Sequence, residues 1–458
     1  MAPPTLTVTG RASKRGLIPR QPPADRLIAG IESWLRLEYP DIVRSSRTRT
    51  SSTGARELLV GLHPAADEFA ITASDEGDVT ISATLAPVGP GYQTFAARLA
   101  QRIGLEHEIT WTSNGVEGSA EPDLAAAGDR ASVEQAYLTW LGSALIAARD
   151  ARRRGVGAIH LGTPAGVVFN FDGAIATSLG PRDDAWLDAA LADSRLALDI
   201  TPWWADATDA RCFLNRALCL MWTEVRWRQP VDDAERAVHE EVVRLLSHAF
   251  PLDPSLPYPW REWKELTKLR GSTDAMTRQV ETRAAKVHKG PLIGYRREPV
   301  RILHEGWELE VPGGFSERRT EDEWSGAEAG RSITLAATQT GTVAGPMSAD
   351  DFLLQVAPDL GGGDALTHRS GELVGRARLS TDASSGVEVG VLEGFSAVRG
   401  LGAAIRIVFD DSADWQWALD KWRALAPAGR GTVAPASGSP VARGSFEAAL
   451  TRPRAVPR

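Results

Sequence analysis

The chain has 458 residues, 43% of them hydrophobic and 24% charged, and a formal net charge of −8. That is enough apolar material for two to four domains, and too acidic a balance for a general nucleic-acid binder, whose affinity rests on neutralising phosphates. No run of about 18 apolar residues occurs, so no membrane-spanning helix is expected.

Residues 1–24 mix proline with basic side chains and hold no acidic residue before Asp25, a composition that predicts a disordered basic tail. Arg11, Lys14 and Arg15 precede no apolar core, so no secretory signal is expected and the simplest location is cytoplasmic. Leu27, Ile28, Ile31, Trp34 and Leu35 then recur at helical spacing. The polar stretch Arg44–Arg56 lacks any apolar period and is expected as a loop. Leu58–Leu62, Glu68–Thr72 and Val79–Leu85 predict three strands, Gln93–Ile103 a helix and Ile109–Trp111 a last strand, so that 25–113 forms an N-terminal α/β sandwich. Val88-Gly89-Pro90-Gly91-Tyr92 precedes that helix as a glycine turn. Such turns can offer amides to an anion, but no Walker-type lysine follows, so a structural turn is expected.

The small, polar segment 114–128 predicts a linker. Beyond it, 129–289 is expected as a central tryptophan-rich helical domain with a small β insertion at 157–179. Helices are predicted over Ser132–Arg154, Arg182–Leu191, Asp206–Arg228, Asp232–Phe250, Pro257–Leu269 and Ala275–Val287. In the longest apolar pattern, Phe213, Leu220 and Trp227 fall seven apart, and Glu224 and Arg228 can pair one turn apart. Cys212 and Cys219 share this helix at roughly 10 Å, too far for a disulfide, and read as packing residues. Leu246, Ala249, Leu252-Asp253-Pro254, Trp260 and Leu266 resemble one tetratricopeptide hairpin; no second copy follows at that family's spacing.

From Val300 the apolar period changes to two. Strands are predicted at 300–311, 333–339, 372–379, 387–395 and 403–409, with helices at 349–356 and 412–425, which together give a C-terminal α/β sandwich on an antiparallel sheet over 298–426. The order Gly306-Trp307-Glu308-Leu309-Glu310-Val311-Pro312, Phe315, Arg331-Ser332-Ile333-Thr334-Leu335 and Asp414-Trp415 with Trp422 resembles PsbP-like and mycobacterial lipoprotein-like domains. That resemblance implies binding of a partner protein or a hydrophobic ligand and carries no catalytic residue. Residues 427–458 return to Gly, Ala, Pro, Ser and Arg and predict a flexible tail. The fold class is therefore α+β.

Standard catalytic spacings are missing. His107-Glu108 and His239-Glu240 open like a zinc-protease motif, but Trp111 and Val243 stand where a second histidine is needed. Gly394-Phe395-Ser396-Ala397-Val398 lacks the closing glycine of a nucleophile elbow. No catalytic residue, metal site or cofactor is expected. Seven of the 15 tryptophans lie between Trp186 and Trp263, and Trp203, Trp204, Trp222, Trp227, Trp260 and Trp263 are the binding candidates, because an indole removes much apolar area from water while keeping one donor. The expected function is a non-catalytic scaffold of bacterial type that binds a protein partner or itself. One alternative is a hydrolase-like site at the Gly162 loop with His160 and Thr163, since His160 ends an apolar strand ahead of glycines. A second is a small apolar ligand in the C-terminal domain.

Overall fold

A computed structural model describes residues 5–14, 23–51, 54–85, 87–112, 130–164, 166–169, 171, 173–287, 290–320, 322–342, 345–361, 365–383 and 388–428. It is an α+β protein with antiparallel sheets and helices in two compact units. One comprises Met1–Pro164, Phe171–Glu224 and Val238–Ile293, the other Ala165–Asn170, Val225–Ala237 and Gly294–Arg458. The linker expected at 114–128 lies outside the described residues, as does the C-terminal tail beyond Ala428.

In the first unit, β1 (Thr5–Ala12), α1 (Ala24–Glu38), β2 (Ser45–Thr50), β3 (Arg56–Gly61), β4 (Phe69–Ala73), β5 (Asp78–Thr84), α2 (Pro90–Glu106) and β6 (Ile109–Thr112) follow in order. The sheet runs β2-β3-β4-β5-β1-β6. Cross-strand partners share a face, so Val8 against Ile81 and Ile81 against Ile71 mark the side that buries. Leu27, Ile28, Ile31 and Leu35 of α1 and Ala96, Leu99, Ala100 and Ile103 of α2 close that side in one core, making a two-layer sandwich.

Two expectations fail here. Thr5–Ala12 is an interior strand, with Leu6, Val8, Gly10 and Ala12 buried in strict alternation; the prolines and basic residues around it hid a period-two signal only eight residues long. Ser45–Thr50 is a strand as well, paired with β3 from Ser45 against Gly61 to Thr50 against Arg56. It carries no apolar alternation because it is an edge strand exposed on both faces, with Arg47 and Arg49 reaching Glu68 and Glu57.

The chain continues through α3 (Arg130–Arg153), β7 (Ile159–Leu161), β8 (Val167–Phe169), β9 (Ile175–Thr177), β10 (Gly180–Arg182), α4 (Asp184–Ala192), α5 (Ala210–Thr223), α6 (Asp233–Leu252), α7 (Trp260–Leu269) and α8 (Ala275–Ala284). The β insertion is divided. β7 and β9 are parallel neighbours in a three-stranded sheet with β10, whereas Val167–Phe169 pairs with residues 300–302. Asp183, Asp209 and Asp274 cap α4, α5 and α8 through their side chains. The helix expected as far as Arg228 stops at Thr223. From Val225 the chain belongs to the second unit, where Arg228 meets Glu235 at 2.6 Å, so the expected pair with Glu224 does not form.

The second unit holds β11 (Val300–His304), β12 (Trp307–Val311), β13 (Ser316–Arg319), β14 (Glu323–Glu328), β15 (Arg331–Gln339), β16 (Gly341–Thr342), β17 (Gly345–Pro346), α9 (Ala349–Val356), β18 (Leu366–Ser370), β19 (Leu373–Asp382), β20 (Val389–Val398), β21 (Leu401–Phe409), α10 (Trp415–Ala424) and β22 (Ala426–Pro427). Glu305 and Gly306, both at positive φ, make the two-residue turn between β11 and β12. The main sheet is the antiparallel order β13-β14-β15-β21-β20-β19-β18. A methyl at Gly402 would sit 2.3 Å from the Phe352 ring of α9, and one at Gly394 would sit 2.6 Å from the Trp422 indole of α10. Gly402 opposes Ala397, an odd number of residues from Gly394, so the two helices cover opposite faces.

Candidate functional site

The densest set of unusual polar groups lies inside the first unit. Beyond β3 the chain passes through His63, 2% exposed, before β4. The Ala65 amide donates to its Nδ1 at 3.1 Å. That acceptor role puts the proton of the neutral ring on Nε2. Burial first, and then Arg216 and Arg44, hold the His63 pKa well below its ordinary value. Its ring centroid lies 6.1 Å from Tyr92 and 6.3 Å from Trp203, which are themselves 5.9 Å apart.

The glycine turn read in the sequence builds this junction. Gly89 has φ 119°, and a methyl there would meet the Trp203 carbonyl at 2.6 Å. The Trp203 amide donates to Val88 O at 2.9 Å, and the Gly91 amide donates back to Trp203 O at 3.1 Å. A methyl on Gly91 would lie 2.5 Å from Trp203 Cδ1, so the pyrrole edge of the indole rests on the first turn of α2. Gly162, at φ 70°, would place its methyl 2.9 Å from Pro87, so the two glycine turns abut.

Behind this junction runs an ion network. Arg44 donates to Glu241 at 3.0 and 3.1 Å and to Glu224 at 2.9 Å. Arg216 is fully buried; it donates to the carbonyls of Asp41 at 2.7 Å and Ile42 at 3.2 Å, and reaches Glu241 only at 3.6 Å. Burial lowers the Arg216 pKa against the opposing pull of Glu241. Burial also raises the Tyr92 phenol and pushes the Cys212 and Cys219 thiols up to about 12. The interior therefore holds a neutral imidazole beside a phenol and thiols that burial keeps protonated, and it is the phenol and thiols that are held out of their nucleophilic forms.

The six indole candidates do not come together. Trp203 is 1% exposed in the core of the first sheet, while Trp204 packs in a separate core with Tyr137 and lies under the Arg130 guanidinium at 5.3 Å. Trp222 covers Gly180. Trp260 and Trp263 stack on each other at 5.4 Å, with Trp263 fully buried. Trp227 belongs to the second unit, over Gly294 and 3.8 Å from the Arg297 guanidinium carbon. Most of these rings thus fill cores around glycines and aromatic neighbours. His160 and Thr163 are brought together, Nδ1 to Oγ1, at 2.8 Å. Among the described residues no group of three metal-ligating side chains could hold an ion.

Sequence reasoning missed His63, Tyr92, Arg44, Arg216 and Glu241. A signal existed for Arg216, a charge in the middle of the apolar stripe that Cys212, Cys219 and Leu220 mark on α5. The sandwich also turns a bare face outward. Thr5, Thr7 and Thr9 of β1 lie against Thr84, Ser82 and Thr80 of β5, and Thr9 against Thr112 of β6, all exposed or half-buried. Hydroxyls repeat there at about 6.7 Å along each strand and about 4.8 Å between strands.

Fold and site define an α+β protein with a sealed polar interior and an open, hydroxyl-bearing sheet face. No family model matches the chain, and no curated protein matches it. Among solved structures it is similar in part to a protein of Bacteroides thetaiotaomicron whose crystal structure was determined at 1.50 Å, with 9% identity and a TM-score of 0.24. That likeness covers 28% of this chain and 47% of the other, about half its length. None of the described helices is long and apolar enough to cross a membrane.

Proposed function

We propose that the chain is a non-catalytic interaction protein, a bacterial cytoplasmic scaffold that binds a protein partner or a second copy of itself. The observation that carries this reading is the contrast between its two polar surfaces. The side chains best suited to chemistry, His63, Tyr92, Cys212 and Cys219, are sealed from solvent, the phenol and thiols in their unreactive protonated forms, whereas the threonine face of the first sheet meets solvent with its hydroxyls in register. The PsbP-like pattern of the second unit, in a family that binds partner proteins or hydrophobic ligands, supports the same reading. So does the tetratricopeptide-like hairpin at Leu246–Leu266. The test is affinity capture from a bacterial source cell with the intact chain and with a Thr7→Arg, Ser82→Arg double variant. Both positions are exposed, and because they are cross-strand partners the two like charges cost about 1 kcal/mol of stability between them. A stoichiometric partner, or a dimer in sedimentation, that the variant loses is the expected result. A monomer that recovers nothing overturns the proposal.

A second reading rests on the 2.8 Å contact between His160 and Thr163, since a hydroxyl bonded to an imidazole is the start of a nucleophile–base pair. Turnover in a hydrolase screen that disappears in a folded His160→Ala variant would favour it. No turnover in the unmodified protein removes it.

A further inference from the structure

The buried junction at the start of α2 gathers several donors that lack a partner. His63 Nε2, Trp203 Nε1, the Tyr92 hydroxyl and Gln93 Nε2 are each buried with no hydrogen-bond partner among the described residues, and so is Arg216 Nε. Burying such a group without a partner is costly, and here several cluster around one helix end. The rings of His63, Tyr92 and Trp203 stand within 6.3 Å of one another. Hydrogen-bond logic fixes the sense of two of them. His63 Nδ1 is already an acceptor for the Ala65 amide, so Nε2 can only donate, and an indole nitrogen never accepts.

The end of α2 adds to this. The helix is 17 residues long, its N-cap Gly89 offers no side-chain acceptor, Pro90 opens it, and its first turn contains no acidic residue. The positive end of the helix dipole is therefore unopposed by its own sequence. Arg216 adds a cation whose shared carboxylate, Glu241, is held more closely by Arg44, at 3.0 Å against 3.6 Å. Asp67 is the negative group that acts on the Tyr92 phenol.

We propose that the His63–Tyr92–Trp203 junction at the N-terminus of α2 is a binding site for one small monoanion of about the size of chloride. The anion accepts from the imidazole and the indole and is balanced by the helix end and Arg216.

The test uses the full chain. Thermal unfolding is followed in sodium chloride, sodium bromide and sodium methanesulfonate at equal ionic strength, and crystals grown in bromide are measured for anomalous scattering. The expected results are a saturable rise in midpoint with chloride or bromide, and a bromide peak beside His63 Nε2 and Trp203 Nε1. Trp203→Phe, which keeps the ring body and removes the donor, should weaken the apparent halide affinity by about tenfold, or 1.4 kcal/mol. If that variant does not fold, His63→Phe gives the same comparison. A peak without any halide-dependent midpoint means an adventitious ion only and overturns the proposal, as does a site filled by water in bromide-grown crystals.

Discussion

Arg44 donates through one nitrogen to both carboxylate oxygens of Glu241, at 3.0 and 3.1 Å, across 197 residues of sequence. That single contact ties the segment after α1 to α6 and leaves Arg216, fully buried, to share what remains of the same carboxylate. Glu241→Gln removes the charge and keeps the shape. With Arg216 then left without its carboxylate and Arg44 with Glu224 alone, the first unit is expected to lose about 3 kcal/mol. The urea midpoint should fall without a change in slope, and an unchanged midpoint would show that the network contributes nothing.

Acid should unfold the second unit through His304. Burial, reinforced by Arg319, lowers its pKa to about 4, with the Asp322 backbone and carboxylate opposing. The unfolded chain takes up a proton below its ordinary value near 6.5 while the folded chain does not, so stability is full above that pH and declines as pH falls toward 4. The total loss is about 3 kcal/mol. His304→Gln, neutral throughout, should flatten the stability profile of that unit between pH 6.5 and 4; a slope as steep as before would exclude His304 as its source.

Two glycine substitutions should move stability in opposite directions. At Gly89, with φ 119° and the Trp203 carbonyl 2.6 Å from the added methyl, alanine is expected to cost about 3 kcal/mol or more. At Gly142, inside α3 with open space around the same methyl, alanine is expected to stabilise by about 0.5–1 kcal/mol. Melting temperatures of the two variants settle both.

Neither cysteine should react in the folded protein. Cys212 and Cys219 are buried and their thiols are raised to about 12 by burial. A thiol reagent at neutral pH should leave both unlabelled until denaturant is added, when two equivalents appear. Rapid labelling of the native chain would show that α5 opens.

Where a segment buries one face against a core, its period was readable: Leu27 to Leu35 of α1, Val79 to Ala83 of β5, and Leu419 and Trp422 of α10 all formed where the apolar spacing put them, whereas Trp415, expected on the same stripe, stands exposed. Edges were not readable. Ser45–Thr50 and Ser316–Arg319 hold no buried residue between them, so hydrogen bonds alone make them strands. The donor junction was hidden for another reason. His63, Tyr92, Trp203 and Arg216 come from four separate stretches, and only the topology of the sheet and α5 brings them near one another. The tryptophans were visible as a composition but not as a place, because indoles that fill space over glycines look the same in sequence as indoles that wait for a partner.

The position of β1 sets a timetable for synthesis. Its neighbours on either side begin at residues 78 and 109, so at about 5–20 residues per second the ribosome has released β1 for several seconds before a strand exists to pair with it. The first sheet cannot close from its beginning; it closes only when β6 arrives. Shortening the chain by its opening dozen residues, which look dispensable by composition, would cut β6 away from the rest of the sheet.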